Sequence, residues 1–237
     1  MSQNEVSIPL VVLTSSLTKF EHIRFLCALR GVNAIRIPFE YPEAQEDDMR
    51  AQLEFASKNI RDKLPYRDAF YALEQTAVYF HSYGSRARRP GFFFKQWWET
   101  KTLREFKRLM QADSRATIES GVALLIPRHD PIVFLNQQQG HVSFEGSIRP
   151  ENRKYSWLSS DDFNRYFVPQ RANQVYDAMP LSAFLKYDFR LPNIERVSER
   201  LSEYEALLSA NISIENIRRI AASHPAWAEK QTRLDHD

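Results

Sequence analysis

The residues best suited to chemistry lie in a short polar loop near the start of the chain, within the segment VVLTSSLTKFEHIRFL. The loop offers four hydroxyl groups and one ammonium group, from Thr14, Ser15, Ser16, Thr18 and Lys19. A loop that leaves a strand and enters a helix presents unpaired N–H groups at the positive end of the helix dipole, which favours a bound phosphate. The alternative is that Thr18 only caps the helix and that Lys19 lies in water.

Hydrophobic periodicity predicts the elements that flank this loop and an alternation of strands and helices beyond it. Strands are predicted at 8–13, 32–37, 70–80 and 116–126, and helices at 19–29, 47–60 and 93–110. In the helix after the loop, Phe20, Ile23, Leu26 and Cys27 fall on one face. The alternation indicates an α/β or mixed α+β sheet.

Further along the chain, the sequence predicts a hairpin, a basic loop and more helices. A strand at 131–135 is expected to turn through NQQQG into HVSFEG. The segment 181–208 is expected to be helical with a break at Pro192, followed by an amphipathic segment at 213–228. The segment SYGSRARRPG is expected to be a solvated or phosphate-guiding loop rather than a nucleic-acid patch, since the whole chain carries a net charge of only +2.

Composition indicates a globular cytoplasmic protein. Hydrophobic residues make up 43% of the 237 residues, and the apolar run at 8–13 is too short for a signal peptide or a membrane span. Cys27 is the only cysteine, which excludes an internal disulfide and fits a reducing compartment. The six histidines show no H-x-x-x-H spacing, so a zinc site has little support.

Six segments, taken in order, resemble the motifs of the inosine triphosphatase (ITPase) family of non-canonical purine nucleoside triphosphate pyrophosphatases. TSSLTKFE resembles T-G-N-x-x-K-x-x-E, YPEAQ resembles L-P-E-x-Q, LEQTAVYF resembles V-E-D-T-x-L-x-F, RPGFFFKQWW resembles P-G-x-Y-x-K-x-F, VFLNQQQGHV resembles F-x-G-x-x-x-G-x-I, and YFVPQRANQVYDAM resembles F-x-P-x-G-x-x-x-T-x-A-E-M. The resemblance covers about residues 8–195. It implies a two-lobed fold around a central mixed sheet with a cleft, and Mg²⁺-dependent release of pyrophosphate from ITP, dITP or XTP.

The carboxylates that the resemblance implies for Mg²⁺ are only partly kept. Glu43 falls on the first of them, although an exposed acid in the run EAQEDD is the alternative. The second, the Asp of E-D-T, falls on Gln75, whose neutral amide should weaken both Mg²⁺ binding and activation of water. Glu74 is adjacent, but neighbouring side chains of a strand point to opposite faces. No intact catalytic residue set is therefore expected, and Mg²⁺ binding is expected to be weakened.

The phosphate-binding positions are better kept. Lys19 and Lys95 fall on family lysines, and Thr14 falls on the family threonine. Ser15 and Ser16 replace Gly and Asn, so the added Cβ at Ser15 could hinder close backbone approach while the hydroxyls add donors. For Lys95, a solvent-exposed residue on an aromatic helix is an equal alternative.

The implied base pocket is rebuilt. The family's F-G-W-D-P falls on DDFNR, which puts Phe163 and Asn164 at the Trp and Asp positions, and S-H-R falls on Asp188, Phe189 and Arg190. Phe163 can stack on a base, Asn164 can bond a purine edge, and Arg190 can donate to a 6-oxo group. The alternative for Phe163 and Phe189 is an ordinary place in the core.

A kept scaffold with a lost metal carboxylate leads to the hypothesis of a nucleotide sensor, since binding is spread over many contacts and turnover is not. The domain expected at 1–195 is followed by a helical extension at 196–237, in which Ile194, Val197, Leu201, Tyr204, Leu208, Ile214, Ile217, Ile220 and Trp227 follow helical spacing. The first of these segments is expected to cover the core, and the second to dock a partner. This combination resembles the ITPase-like subunits of Kongming-type bacterial antiphage systems, which implies a dITP signal and a sirtuin-like NADase effector.

Three readings remain open at this point. They are a sensor of dITP or ITP acting with a partner, an active ITP/dITP/XTP pyrophosphatase, and a structural subunit whose phosphate loop is blocked by Ser15. The resemblance also implies a homodimer as the common case.

Overall fold

The computed structural model describes residues 6–41, 48–64, 68–84, 88–158 and 163–204, with side chains from residue 9 onward. Within these residues the strands are β1 (Val6–Leu13), β2 (Val32–Ile37), β3 (Phe70–Phe80), β4 (Pro90–Gly91), β5 (Arg115–Leu125), β6 (Ile132–Val142) and β7 (Phe167–Pro169). The helices are α1 (Leu17–Ala28), α2 (Met49–Ile60), α3 (Phe94–Glu99), α4 (Leu103–Ala112), α5 (Leu181–Phe184) and α6 (Leu191–Tyr204). The predicted alternation of strands and helices is confirmed.

The strands form one mixed seven-stranded sheet in the order β2-β1-β3-β5-β6-β7, with β4 paired to β3. β1 runs parallel to both neighbours, with Leu13 opposite Ile37 on β2 and Leu73 on β3. β3 pairs with β4, and β6 with β7, in antiparallel fashion. Because the parallel strands β1, β2 and β3 point the same way, the loop after β1 begins beside the end of β2 and beside residues 73 and 74 of β3.

The chain divides into two compact units. So far as its residues are described, the first lies in Met1–Glu74, Gly121–Phe134 and Asn193–Asp237, and the second in Gln75–Ser120 and Leu135–Pro192. The division falls inside β3, β5 and β6, so these three strands contribute residues to both units. The sequence-based boundary between 195 and 196 falls within α6.

The first unit is built on β1, whose residues Leu10–Leu13 are fully buried. A strand that is apolar at every position must be covered on both faces, and α1 and α2, in the same unit, each bury an apolar face. The buried side chains are Phe20, His22, Ile23, Leu26 and Cys27 of α1, and Met49, Leu53, Ala56 and Ile60 of α2. The predicted face of α1 is therefore confirmed.

The second unit has an aromatic core. The rings of Phe80, Phe94, Trp97, Trp98, Phe106, Phe163 and Tyr166 lie with neighbouring centroids 5.0–6.4 Å apart, mostly tilted or edge to face. These separations are the favoured ones for aromatic pairs, since the positive edge of one ring meets the negative face of another.

The helix predicted at 93–110 is two helices. α3 ends where the N–H groups of Thr100 and Lys101 bond back to the carbonyls of Trp97 and Trp98, at 3.2 and 3.1 Å. α4 then begins with a capping box, in which Thr102 and Glu105 bond each other's backbone N–H groups. The Thr-x-x-Glu pattern within the apolar segment is the signal that marks this second start.

The predicted hairpin through NQQQG is wrong, because these residues lie inside the 11-residue strand β6. Gly140 is a site of close approach rather than a turn residue. A Cβ there would lie 2.3 Å from the carbonyl oxygen of Val168 and 2.6 Å from the ring of Phe167 on the paired strand β7. Glycine inside a strand often marks such an approach of another backbone.

The predicted helix break at Pro192 is also displaced. Pro192 is the second residue of α6, where a missing N–H costs no helical hydrogen bond. The interruption lies earlier, between α5 and α6, and the carboxylate of Asp188 accepts the N–H groups of Arg190 and Leu191 at 2.7 and 3.2 Å. Residues 205–208 of the predicted helix, and the segment 213–228, lie outside the described residues.

In the part of the chain that the structure describes, no helix is both long and apolar enough to cross a bilayer.

Candidate functional site

The polar loop after β1 is organised by its own hydroxyl groups. The Thr14 hydroxyl accepts the N–H of Ser16 at 3.2 Å, and the Ser16 hydroxyl accepts the N–H of Lys19 at 3.2 Å. Ser16 is therefore the N-cap of α1, and the alternative in which Thr18 caps the helix is wrong. Thr14 is buried, whereas Ser15 and Ser16 are exposed, so the loop presents its middle residues to solvent.

The start of α1 has the properties of an anion site. The N–H groups of Leu17 and Thr18 lie in the first turn, where a helix provides no intrahelical acceptor. This turn contains no acidic residue, and both residues are exposed. The positive end of the helix dipole therefore faces solvent without a carboxylate of its own turn to neutralise it.

Lys19 is held by Glu74 of β3. Its ammonium lies 3.0 Å from the Glu74 carboxylate and also donates to the Glu74 carbonyl at 3.2 Å. The Glu74 side chain is 1% exposed and that of Lys19 is 23% exposed. The hydroxyl of Tyr41 donates to the same carbonyl at 3.0 Å. A buried carboxylate needs such a partner, so the pair anchors the first turn of α1 to β3.

Arg36 is a second cation at this loop that the sequence analysis missed. It lies opposite Val12 in the pairing of β1 and β2, and its guanidinium donates to the Ser15 carbonyl at 3.3 Å. Its side chain is partly exposed. The available signal was its place near the end of a strand parallel to β1, because such strand ends meet at one edge of the sheet.

The predicted metal carboxylates do not form a described cluster. Glu43 lies outside the described residues. Gln75, at the second position, is 8% exposed and follows Glu74 in β3. Among the described residues, no group of three or more His, Cys, Asp or Glu side chains is placed to hold a metal ion. At these positions the described residues provide one carboxylate, that of Glu74, and it is paired with Lys19.

Lys95, in the second unit, extends from the short helix α3. Its side chain is 86% exposed and lies 4.0 Å from the carboxylate of Glu99, one turn further along the same helix. This is the exposed placement that the sequence left open. An ion pair of this kind is weak, so Lys95 can leave Glu99 at little cost if an anion binds.

Phe163 and Asn164 serve the fold of the second unit. Phe163 is 4% exposed and packs against Phe80, Phe94 and Phe167 at centroid distances of 5.6, 5.3 and 5.4 Å. Its ring therefore offers a base little free surface. The amide of Asn164 donates to the Trp157 carbonyl at 2.9 Å, which ties two segments of the unit together.

Arg190 is positioned by three neighbours. Its guanidinium donates to the Thr76 hydroxyl at 3.0 Å, one residue beyond Gln75 in β3, and lies 4.5 Å from the ring centre of Phe189. Its backbone N–H is held by Asp188. Phe189 itself is 7% exposed, which is the core placement left open by the sequence. One hydrogen bond from the amide of Asn136 to the Phe189 carbonyl, at 3.0 Å, completes this anchoring.

A buried carboxylate network in the second unit was not predicted. Glu119 is 5% exposed and accepts hydrogen bonds from Tyr79 at 2.7 Å, from Gln137 at 3.0 Å, and from Arg88. Burial and the neighbouring carboxylate raise the pKa of Tyr79. Arg88 belongs to SYGSRARRPG, the segment predicted to be a solvated loop. Its guanidinium instead bonds the buried carboxylate of Glu119.

A separate cavity of about 430 Å³ lies in the first unit. Its lining includes Arg61, Asp62, Asp68, Tyr71 and Arg128, and none of the predicted site residues. Arg128 and Asp68 lie 3.8 Å apart, so the opposite charges of the lining partly balance.

Comparison with known proteins identifies the fold. No protein-family model and no curated protein sequence matches the chain. The structure of the Staphylococcus aureus Ham1 protein is similar with a TM-score of 0.60 at 11% identity, over 82% of this chain and 98% of that chain. A HAM1 protein from Coxiella burnetii gives 0.59 at 14% identity, over 83% and 100%. A nucleoside-triphosphatase, described as a dITP/XTP pyrophosphatase, from Mycobacterium abscessus gives 0.50 at 13% identity, over 84% and 98%.

These similarities establish a Ham1/ITPase-type fold for this chain. They span nearly the whole of each compared protein, whereas part of this chain has no counterpart in them. At this level of identity the likeness extends to the fold alone.

Proposed function

We propose that this protein binds a non-canonical purine nucleoside triphosphate, dITP or ITP, as a signal and hydrolyses it poorly or not at all. The observation that carries the proposal is the loop after β1. It joins an exposed helix start free of first-turn acids to two cations, Lys19 and Arg36. A helix N-terminus with adjacent cations is a well-suited phosphate site.

The proposed loss of hydrolysis rests on Gln75. Splitting the bond between the α and β phosphates needs an anionic group to orient or deprotonate water. Gln75 offers a neutral amide at the position where the sequence resemblance places that group, and the adjacent carboxylate of Glu74 is paired with Lys19. Ground-state contacts to the phosphates do not depend on this group, so binding can persist without turnover.

The proposed base is a 6-oxopurine. Its support is Arg190, whose guanidinium is a donor held in place by Thr76 and Phe189. A guanidinium can donate to a 6-oxo group, whereas the 6-amino group of adenine offers it no acceptor at that position. Phe163 has less support as a stacking residue because it is buried among other rings.

The proposed readout is a partner protein. A sensor without turnover requires an effector, and the sequence resemblance to Kongming-type subunits points to a sirtuin-like NADase in bacterial antiviral defence. Residues 205–237, on which this docking would depend in part, lie outside the described residues.

The test is calorimetric titration of the full chain with dITP, ITP and dATP, followed by a pyrophosphate-release assay on the same samples. We expect dITP and ITP to bind, dATP to bind at least about tenfold more weakly, and pyrophosphate release to be undetectable. Lys19→Gln should weaken dITP binding about tenfold or more, because a charge-assisted hydrogen bond contributes ~1.5–3 kcal/mol.

Lys58→Gln is the matched control. Lys58 is exposed on α2, and the substitution removes one positive charge from the same unit, as Lys19→Gln does. Efficient pyrophosphate release from dITP would instead identify an active pyrophosphatase. Absence of binding by every nucleotide would support the reading of a structural subunit with a blocked loop.

A further inference from the structure

We infer that the loop after β1 takes the triphosphate in its metal-free form, with Arg36 and the start of α1 supplying positive charge and Lys19, which is paired with Glu74, supplying a hydrogen-bond donor. This inference deepens the proposed function and rests on it. It concerns the chemical form of the ligand, and it follows from how the charges beside the loop are already paired.

Glu74 is already paired with a cation. Its carboxylate is almost fully buried, and the Lys19 ammonium lies 3.0 Å from it. Mg²⁺ requires near-octahedral oxygen coordination at short distance, usually with one or two carboxylates among its ligands. A metal bound to this carboxylate would meet the positive charge of Lys19 at close range in a poorly hydrated place, which opposes its binding.

The next residue of β3 offers no carboxylate. Gln75 has a neutral amide oxygen, which attracts a hard dication far less than a carboxylate does. Because neighbouring side chains of a strand point to opposite faces, the described donors are one committed carboxylate on one face of β3 and one amide on the other. This set does not fit Mg²⁺. The remaining acid implied by the resemblance, Glu43, lies outside the described residues and is included in the test.

Two cations lie at the loop after β1, beside the start of α1. Lys19 lies in the first turn of α1, and Arg36 donates to the carbonyl of Ser15 within the loop. A guanidinium carries N–H groups in a fork that matches two phosphate oxygens, and an ammonium, which has three N–H groups, can donate to a third oxygen while it stays paired with Glu74. With the helix N-terminus, these groups offer positive charge to a phosphate chain without a bridging ion.

The experiment is titration of the full chain with dITP in two buffers of equal ionic strength, one with MgCl₂ and one with EDTA. We expect binding to be about threefold or more weaker with MgCl₂, because excess Mg²⁺ converts dITP into its metal complex and lowers the concentration of the metal-free form. A smaller difference between the two buffers, or tighter binding with MgCl₂, would overturn the inference while leaving the proposed function intact. Absence of binding in both buffers would overturn the proposed function and the inference together.

Three variants sharpen the result. Arg36→Gln should weaken dITP binding in EDTA about tenfold or more, since one charge-assisted contact is lost. Arg200→Gln, at an exposed arginine of α6 that pairs with Glu203, is the matched control and should change nothing. Glu43→Gln should leave the affinity unchanged in both buffers, and a loss of affinity confined to the MgCl₂ buffer would contradict the inference. Circular dichroism melting of each variant separates a lost contact from a lost fold.

Discussion

The ammonium of Lys19 is bound twice by Glu74, once by its carboxylate at 3.0 Å and once by its backbone carbonyl at 3.2 Å. The side-chain contact depends on the identity of residue 74, while the carbonyl contact would survive any substitution there. Lys19 therefore has a fixed position beside the loop even before a ligand binds. Such preorganisation lowers the entropy that binding must overcome.

The first prediction concerns the strength of this pair. Lys19→Met should destabilise the protein by roughly 3 kcal/mol, because it leaves a buried carboxylate without its countercharge. Glu74→Gln should cost less, and the double variant should recover part of the loss, giving a coupling of about 2 kcal/mol. Urea unfolding of the four proteins measures this cycle. The exposed pair Arg200 and Glu203 is the control, for which about 0.5 kcal/mol is expected.

The second prediction concerns Gln75. Gln75→Asp restores a carboxylate at the position where the resemblance implies one, so we expect the variant to acquire Mg²⁺-dependent dITP binding and measurable pyrophosphate release. Gln75→Asn keeps the neutral amide with the same shortening and should acquire neither. Equal behaviour of the two variants would mean that the charge at this position is not what limits turnover.

The third prediction distinguishes a core role from a base-stacking role for Phe163. Phe163→Ala should destabilise the protein by about 3 kcal/mol or more, since it opens a cavity in the aromatic cluster. Phe93→Ala, at the residue before α3, whose ring is 59% exposed, should cost under about 0.5 kcal/mol. Phe163→Leu keeps most of the apolar volume and should leave dITP affinity unchanged, whereas a large loss of affinity with intact folding would place the ring at the base.

The fourth prediction concerns Cys27, where complete burial raises the pKa of the thiol from 9.0 to about 12. The folded thiol stays neutral in a pH range in which the unfolded chain loses its proton. The unfolded state therefore binds fewer protons above pH 9, and the stability of the protein falls as the pH rises toward 12.

Two measurements check this prediction. Ellman's reagent at pH 8 should not react with the native protein and should react after unfolding in urea, because the thiolate is the reactive form. Between pH 8 and 10, the decline in unfolding free energy should be shallower for Cys27→Ala than for the parent protein. Rapid labelling of the native thiol would contradict the burial on which both expectations depend.

Much of the first unit could be predicted from local pattern. The bounds of β2 and β3 agree with the predicted 32–37 and 70–80, because both strands are runs rich in β-branched and aromatic residues. The errors arose where one residue type has two uses. Gly140 was taken for a turn residue, but it permits the approach of β7, and Pro192 was taken for a breaker, but it starts α6.

The predicted site was harder, because side-chain partners distant in sequence decide it. The pattern located the loop, but it could not show that Lys19 meets Glu74, 55 residues away, or that Arg36 reaches Ser15. The Glu119 network was missed for the same reason, since its members come from four separated segments: Tyr79, Arg88, Glu119 and Gln137. Phe163 shows the converse, because motif position alone could not distinguish a core ring from a binding ring.

The helix α6 limits where this chain can be shortened. Ile194, Val197 and Leu201 are each at most 1% exposed, and all three belong to the first unit, as does the polar loop. A truncation after residue 195, at the boundary predicted from the sequence, removes Val197 and Leu201 and leaves two vacancies in the interior. A shortened chain should therefore extend at least through Tyr204, the last residue of α6.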